Sequence, residues 1–358
     1  MLKRLHLRNF TVFADAEFEF GEGLNVLVGT NGTGKTHVLK AGYTVLSTLL
    51  FAIDNDMHYK VNEQEYLLTL ALTNTKLARV FQTGPFSVKE LIRRGLEEAK
   101  LDVELSHPDG NIEAQMVIIT THQKAHATVL QDKEDSVVGT AIPVFIPAKE
   151  VLTSGWLVSL YDRREIPIDE TYPDLLRLLF GPPLRQPEPT HIVEKLAQLI
   201  GGKVEEEGGH FYLAAPDQPP LEMNLVAEGV RKFATLYKLL ANGTLTPETT
   251  LLWDEPEANL NPALLKEMAA VLTDLAEAGF QIILATHSLF LMRELHILAQ
   301  HKKKLVRYFG LYKSEEGDVR VERQDDLMQL QHLVALDAEL AQTFDFEAAL
   351  DEDYAGDN

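Results

Sequence analysis

A glycine-rich segment near the amino end of the chain has the composition of a phosphate-binding loop. Residues 29–36 read GTNGTGKT, in which Gly29 and Gly34 frame four residues before Lys35 and Thr36. Glycines let successive backbone N–H groups curve around an anion, the lysine supplies a positive charge for the β- and γ-phosphates, and the threonine hydroxyl can ligate Mg²⁺. The spacing therefore predicts a site for a magnesium nucleotide. Its expected lining is Gly29, Asn31, Gly32, Thr33, Gly34, Lys35 and Thr36.

Two acidic residues and a histidine further along the chain could complete this site. The segment LLWDEPEANLNP places Asp254 and Glu255 directly after a run of apolar residues. Asp254 is suited to hold Mg²⁺ through water, and Glu255 is suited to accept a proton from an attacking water molecule. His287, in the segment ATHS, follows the next apolar run, where an imidazole could contact the γ-phosphate. The alternatives are a polar capping segment for the acids and a structural role for the histidine.

The elements that must position these residues alternate between strands and helices. LNVLVG, TTLLWD and FQIILA are short apolar runs typical of strands covered on both faces of a sheet. Helical patterns begin near Lys35 and at Pro262, the second with Asn261 as its amino-terminal cap. Because ligands gather at the carboxyl ends of parallel strands, the loop, the acids and the histidine are expected to lie at one edge of the sheet.

The rest of the chain is less regular. LKRLHLRNFTVF and AEFEF alternate apolar with polar residues, which predicts half-buried strands. LDVELSHPDGNIEAQMVIITTH predicts a hairpin that turns at residues 108–110, whereas residues 63–101 are expected to be mostly helical. A helix is predicted over residues 229–241 and another near residues 327–340.

Composition and charge exclude several classes of protein. The chain has 358 residues, which suggests about two domains or one large domain with an insertion. Its formal net charge of −21 argues against non-specific nucleic-acid binding by the whole surface. The absence of cysteine excludes disulfides and thiolate zinc sites. The start MLKRLHLRNF lacks the pattern of a signal peptide, and no apolar stretch is long enough for a membrane span, so we expect a cytoplasmic protein without a membrane partner.

Taken in order, GTNGTGKT, LLWDEPEANLNP and ATHS resemble the motifs of the ABC-type ATPases. The likeness is greatest to the soluble branch that includes RecF, SMC proteins and the OLD-like ATPases of bacterial antiphage defence. LHLRNFTVF is similar to the opening strand of that branch, and AEGVRKF, at residues 227–233, is similar to its signature segment. The resemblance implies an α/β fold: a P-loop NTPase with an ABC-type ATPase core, in which helices flank a mixed sheet, and an inserted, mainly helical lobe.

The same resemblance implies a domain arrangement. More than half of the chain separates Thr36 from Ala227, a longer interval than transporter ATPases need. The expected nucleotide-binding core comprises residues 1–51, 140–150 and 246–340. The expected inserted lobe, which carries the signature-like segment, comprises residues 52–139 and 151–245, and an acidic tail follows at residues 341–358.

Roles for individual residues follow from the resemblance alone. Lys35, Thr36, Asp254, Glu255 and His287 would act on one ATP with Mg²⁺. Glu228 and Gly229 would face the ATP of a second subunit. Asn259 and Asn261 match the segment at the dimer seam. Arg8 and Asn9 would lie near the adenine. Phe10 and Phe13 are instead expected in the core.

Two positions depart from the family pattern. Ala227 stands where the signature segment normally has a serine whose hydroxyl binds the γ-phosphate across the dimer. Either backbone N–H groups and the helix dipole suffice, or hydrolysis is slow. Arg231 or Lys232 could substitute for the serine, unless they are merely solvated charges on a helix. No glutamine is a convincing switch residue, and Gln123 is a poor candidate.

These observations predict a Mg²⁺-dependent ATPase that forms an ATP-sandwich homodimer, or a higher even oligomer. Its output would be control of a separately encoded effector protein, in a setting of antiphage defence or toxin control that comes from resemblance only. A RecF-like repair ATPase that binds DNA is the first alternative, with nucleic acid a possible but not favoured partner. A transporter subunit and a scaffold with an inactive ATP site are the others. Residues 144–175 also resemble a stretch found in stand-alone ATPases of this branch, and their role is left open.

Overall fold

The structure, a computed structural model, describes residues 1–54, 58–60, 66–68, 70–84, 87–107, 110–121, 124–131, 142–163, 166–302, 306–332 and 342. The helices are α1 (Lys35–Asp54), α2 (Leu70–Phe81), α3 (Trp156–Arg163), α4 (Thr171–Leu179), α5 (Thr190–Ile200), α6 (Glu228–Ala241), α7 (Pro262–Glu277) and α8 (Leu289–Lys302). The strands are β1 (Leu2–Phe10), β2 (Phe13–Glu19), β3 (Leu24–Gly29), β4 (His58–Lys60), β5 (Tyr66–Leu68), β6 (Glu98–His107), β7 (Gly110–Thr121), β8 (Lys124–Gln131), β9 (Val144–Ile146), β10 (Lys203–Glu207), β11 (His210–Ala214), β12 (Leu221–Glu222), β13 (Thr250–Asp254), β14 (Gln281–Thr286), β15 (Val306–Lys313) and β16 (Val319–Gln324).

A six-stranded sheet with the order β16-β15-β3-β14-β13-β9 forms the centre of the fold. The five strands from β15 to β9 are parallel, and β16 is antiparallel to β15. The carboxyl ends of β3, β13 and β14, at Gly29, Asp254 and Thr286, therefore lie at the same edge. This arrangement confirms the expected mixed sheet and the parallel strand-helix-strand unit around α7.

A second, seven-stranded sheet has the order β2-β1-β6-β7-β8-β5-β4 and is antiparallel throughout. One hydrophobic cluster combines β1, β2, α1, β6 and β7 with Leu27, Leu252 and Ile283 of the central sheet. On the opposite face, α3 to α8 cover alternate residues such as Val26 and Ile282. Both faces of the central strands are therefore buried, which is why their sequences are apolar without alternation.

The structure corrects two sequence-based expectations. Among the described residues between 63 and 101, only α2 is an α-helix: β5 precedes it, and the chain returns to a strand at Glu98. Gly84 and Pro85 follow α2 in sequence and do not favour a longer helix. The inserted segment at 52–139 is likewise built mainly of strands within its described residues, whereas 151–245 is mainly helical as expected. Leu101 and Leu105 of β6 are buried at alternate positions, so this segment extends the β1–β2 sheet.

Other expectations have mixed outcomes. The hairpin of β6 and β7 is confirmed, and so are the half-buried strands β1 and β2 and the helix α6. Near the carboxyl end, the described part of the predicted helix is a short 3-10 turn at Leu327–Gln329, and residues 333–340 lie outside the described residues. Gln123 also lies outside them. Within the described part of the chain, no helix has the length and apolarity required to cross a membrane.

A buried amide connects the two sheets at the edge opposite the carboxyl ends. Gln281 begins β14, and its Oε1 accepts hydrogen bonds from Leu2 N and Thr250 Oγ1, both at 2.8 Å. Its Nε2 donates to Leu2 O at 2.7 Å and to Gly21 O at 3.0 Å. The side chain thus hydrogen-bonds the buried backbone N–H and carbonyl of Leu2 in β1, and Leu2 N also lies 3.3 Å from Thr250 Oγ1.

We predict that Gln281→Leu lowers the free energy of unfolding by about 3 kcal/mol, because buried polar groups left unpaired cost about 1–3 kcal/mol each. Urea denaturation measures this change. Gln198→Leu, at an exposed position of α5, is the matched control and should change the free energy by less than about 0.5 kcal/mol. Equal effects of the two substitutions would contradict the role given to Gln281.

Candidate nucleotide-binding site

The glycine-rich loop connects β3 to α1 at the carboxyl edge of the central sheet. Gly32 and Gly34 have φ values of 79° and 89°, which residues with a Cβ rarely adopt. Lys35 begins α1, and its Nζ donates to Gly29 O at 2.7 Å and to Thr30 O at 3.1 Å. Burial lowers the pKa of Lys35, although neighbouring carboxylates oppose this shift. The lysine ammonium therefore lies inside the loop, where the phosphates of a nucleotide are expected.

The turn between β1 and β2 packs directly on this loop. A Cβ on Gly34 would lie 2.7 Å from Phe13 Cζ and 2.7 Å from Val12 Cγ2. Phe10 and Phe13 are fully buried, which confirms their expected place in the core. The opening strands thus support the loop from outside.

Arg8 and Asn9 lie at the end of β1, just before this turn. Arg8 Nη2 donates to Asp102 Oδ2 of β6 at 2.5 Å, and Asn9 O accepts from Arg93 N at 2.8 Å. Asn9 has a φ of 52°, in the left-handed region. Their suggested contact with an adenine ring stays a prediction.

Thr36 and Asp254 meet at the same edge. Thr36 Oγ1 donates to the two carboxylate oxygens of Asp254 at 3.0 and 3.2 Å. Burial raises the pKa of Asp254 to about 6; the charge of Glu255 adds to this shift, while the bond from Thr36 and the charges of Lys40 and Lys35 oppose it. One polar contact therefore joins the end of β13 to the first turn of α1, although the two are distant in sequence.

The donor set of this contact fits Mg²⁺. A hydroxyl and a carboxylate are hard oxygen ligands, and Mg²⁺ in phosphate sites usually takes only one or two protein ligands besides water and phosphate oxygens. Among the residues that the structure describes, no group of three or more His, Cys, Asp or Glu could hold a metal ion alone. Thr36 and Asp254 would thus hold a metal together with a phosphate.

Glu255 and His287 complete the edge. The N–H of Glu255 donates to Ala285 O at 2.9 Å, which joins the ends of β13 and β14. Glu255 has a φ of 46°, a conformation that costs a residue other than glycine about 1–3 kcal/mol. His287 Nδ1 lies 3.4 Å from Glu255 Oε1. The structure therefore brings together the acid and the histidine that the sequence proposed, on a strained backbone.

Sequence reasoning missed Glu257, which is buried beneath this pair. Its Oε1 accepts from Thr286 Oγ1 at 2.6 Å and from His287 N at 3.1 Å, and lies 3.6 Å from His287 Nδ1. Glu257 therefore orients the backbone and ring of His287. The available signal was the third acid of Asp-Glu-Pro-Glu, since the turn at Pro256 brings Glu257 back to the strand end.

The signature-like segment begins α6 beside this turn. Asn259 Nδ2 donates to Glu228 Oε1 at 2.7 Å. A Cβ on Gly229 would lie 3.0 Å from Leu260 Cδ2 and 3.2 Å from Asn259 O, so the helix start is tightly packed against residues 259–260. Asn261 caps α7 as predicted, with its Oδ1 accepting from Leu264 N at 2.9 Å.

Arg231 and Lys232 have roles that the sequence did not anticipate. Arg231 Nε lies 3.2 Å from Glu150 Oε1, and Lys232 Nζ donates to Glu255 O at 2.8 Å. Burial lowers the pKa of Lys232 to about 8, although nearby carboxylates, foremost Glu257, oppose the shift. Both side chains are bound within their own subunit. They are therefore not merely solvated charges, and their suggested substitution for the serine hydroxyl stays a prediction.

Described residues of the segment 144–175 lie beside the site, at the β9 edge of the central sheet. β9 pairs with β13, which places the following loop beside Asp254. Asp169 Oδ2 lies 2.6 Å from Nζ of Lys40, one helical turn beyond Thr36, while Glu150 pairs with Arg231 of α6. The segment therefore contacts both the helix of the glycine-rich loop and the signature-like helix.

Two family models that describe AAA domains match this chain. Residues 1–143 match a family model described as "AAA ATPase domain", and residues 152–293 match one described as "AAA domain, putative AbiEii toxin, Type IV TA system". A 55-residue segment is 44% identical to the DNA replication and repair protein RecF of Pediococcus pentosaceus and covers 15% of each chain. A 41-residue segment is 51% identical to the DNA double-strand break repair Rad50 ATPase of Methanopyrus kandleri.

The matched segments are short parts of those proteins, covering 15% of the RecF chain and 5% of the Rad50 chain. The similarity of fold is more extensive. This chain superposes with a TM-score of 0.56, at 12% identity, on a solved Smc head domain. That head domain has an extended coiled coil, is bound to the C-terminal domain of ScpA and is derived from Pyrococcus furiosus. That match covers 90% of this chain and 96% of the other.

The packing of the β1–β2 turn on the loop predicts a difference between two glycines. Gly32→Ala should cost about 1–2 kcal/mol from the left-handed backbone alone, since no atom lies within 4 Å of its added Cβ. Gly34→Ala should cost about 1–3 kcal/mol more, because its Cβ overlaps Val12 and Phe13. Denaturation curves of both variants measure the difference. Equal costs would show that the turn does not support the loop.

Proposed function

Because the chain is a P-loop ATPase of the RecF/SMC-like ABC type, we propose that it binds ATP with Mg²⁺ and hydrolyses it between two copies of itself. The observation that carries the proposal is the contact between Thr36 and Asp254, which are 218 positions apart in sequence. It joins the glycine-rich loop to the strand end that carries Glu255.

Each residue has a defined task in this proposal. Lys35 Nζ would exchange the carbonyls of Gly29 and Thr30 for the β- and γ-phosphates, while loop N–H groups and the start of α1 bind the remaining oxygens. Glu255 would accept the proton of the water that attacks the γ-phosphorus. His287, 3.4 Å from Glu255, would donate to a γ-phosphate oxygen. Mg²⁺ held at Thr36 and Asp254 would neutralise charge on the phosphates.

The start of α6 is the proposed contact with the ATP of the second subunit. Ala227 occupies the N-cap position and makes no side-chain capping hydrogen bond. N–H groups of the first turn, near Glu228 and Gly229, thus remain available for a phosphate, and the helix dipole favours a negative charge there. This supports the interpretation that backbone groups replace the serine hydroxyl. Asn259 and Asn261 would lie at the same seam.

The biological output proposed is control of a separately encoded effector protein in the cytoplasm, in antiphage defence or toxin control. The description of the family model that matches residues 152–293, which names a toxin system, supports this setting. The structural likeness to an Smc head bound to ScpA supports a partner protein in general. ATP would join the subunits and hydrolysis would separate them, so that the effector responds to the nucleotide state.

A RecF-like function in DNA repair is the second candidate, because RecF proteins are among the relatives. It predicts ATP turnover that rises with DNA at low salt and loses this stimulation steeply as salt increases. Turnover is measured with single-stranded, double-stranded and gapped DNA. Unchanged turnover with all of them at low salt would exclude this function and favour a protein effector.

We predict that Lys35→Ala abolishes measurable ATP binding, with a loss of about 100-fold or more, because a buried cation that pairs with phosphate is removed. Titration calorimetry with ATP and Mg²⁺ measures the affinity. Lys266→Ala removes an exposed lysine of α7 and is the control, with unchanged affinity. Wild-type affinity in Lys35→Ala would show that the loop is not the phosphate site.

Glu255→Gln should reduce ATP turnover by about 100-fold or more, since the amide cannot accept the proton from water. ATP should then accumulate between the subunits, so that the variant is a dimer with ATP and Mg²⁺ and a monomer without them in sedimentation experiments. Glu277→Gln, at the end of α7, is the control. A Glu255→Gln variant that stays monomeric with ATP would contradict the sandwich. Undiminished turnover would contradict the role of Glu255.

A further inference from the structure

We propose that Lys232 is a positioning residue for Glu255: its ammonium group holds the backbone of the turn after β13 and ties that turn to the start of α6. This inference rests on the ATPase function proposed above and extends it. Lys232 would not touch ATP itself. It would act through the carbonyl groups of Glu255 and Pro256.

Lys232 is buried. Its residue surface is 3% exposed, yet it carries an ammonium group, which is costly to bury unless it is well hydrogen-bonded. Nζ donates to Glu255 O at 2.8 Å and approaches Pro256 O at 3.4 Å. Both acceptors are backbone carbonyls of the turn that presents Glu255. The bonds therefore fix the direction of that backbone.

Glu255 has a strained backbone conformation. Its φ of 46° is unfavourable for a residue with a Cβ, so neighbouring groups must hold it. On the amino side, Glu255 N donates to Ala285 O at 2.9 Å. On the carboxyl side, Pro256 has no N–H to donate, and the Glu255 carbonyl accepts from Ala258 N at 3.1 Å within the turn. Lys232 adds a second bond to the same carbonyl, and this bond comes from α6, outside the turn.

Lys232 connects the turn of Glu255 to the start of α6. It lies on the first turns of α6, whose start is also joined to the turn by the bond from Asn259 to Glu228 and by the close packing of Gly229 on Leu260. The start of α6 is the proposed contact with the ATP of the second subunit. A shift of α6 when that ATP binds would move the Glu255 carbonyl with it, so hydrolysis would depend on correct assembly.

The chain provides a matched control for a purely structural role. Lys238 is on the same helix and is also 3% exposed. Burial lowers its pKa as well, but its acidic neighbours are Glu206 and Glu205 of β10. Lys232→Met and Lys238→Met are thus the same chemical change at equally buried positions of one helix. Only the first removes bonds to the turn of Glu255.

The experiment measures kcat and KM for ATP in the full-length wild type, Lys232→Met and Lys238→Met, together with the Kd of a fluorescent ATP analogue and the thermal stability of each. We expect Lys232→Met to lower kcat by about tenfold or more, because small displacements of a reacting group are costly, with KM and Kd changed by less than about threefold. Lys238→Met should retain kcat within about twofold of the wild type.

Three outcomes would overturn the proposal: a kcat of Lys232→Met within twofold of the wild type, an equal loss in Lys238→Met, or a loss of ATP binding that matches the loss of kcat. If Lys232→Met does not fold, Lys232→Gln is measured instead, because its polar amide is tolerated better at this position but ends one bond short of the Nζ that reaches Glu255 O. For Lys232→Gln, a loss confined to kcat supports the proposal, and an unchanged kcat overturns it. A wild type without ATP turnover would refute the proposed function itself, whereas normal turnover in both wild type and Lys232 variants refutes only the role of Lys232.

Discussion

The hydrogen bonds from Thr36 to Asp254 define the site on which the rest of the structure depends. They join the helix that follows the glycine-rich loop to the end of a buried strand. This contact requires parallel strands, because only then do the ends of β3 and β13 lie at one edge of the sheet. The second sheet supports the loop through the β1–β2 turn. The buried amide of Gln281 fixes the opposite edge of the central sheet.

At this site, polar and charged groups are buried next to backbone that is strained or is formed by glycine residues. Lys35 binds loop carbonyls, Lys232 binds carbonyls after Glu255, and Asp254 has a pKa raised to about 6 by burial. Such groups reduce stability unless they are satisfied, and they concentrate where function requires them. In this chain the same bonds connect the loop, the acidic turn and the start of α6, so that three segments distant in sequence act as one unit.

The sequence was most informative where one local pattern determines structure. GTNGTGKT, the apolar runs of β3, β13 and β14, and the cap at Asn261 were all interpretable because glycine geometry, burial and capping act within a few residues. It was least informative for residues 63–101, where the pairing of β5 with β8 and of the start of β6 with β1 decides the outcome. Arg231, Lys232 and Glu257 could not be assigned for a related reason: their roles depend on which backbone they meet in the fold, and no spacing in the sequence encodes that.

A crystal structure of the protein with Mg²⁺ and a non-hydrolysable ATP analogue tests the central claim most directly. The account predicts phosphates within the loop of residues 29–36, a metal ion between Thr36 Oγ1 and the Asp254 carboxylate, and Glu255 next to the γ-phosphate. A nucleotide bound elsewhere, or a bound nucleotide with Thr36 and Asp254 far from its metal ion, would contradict it.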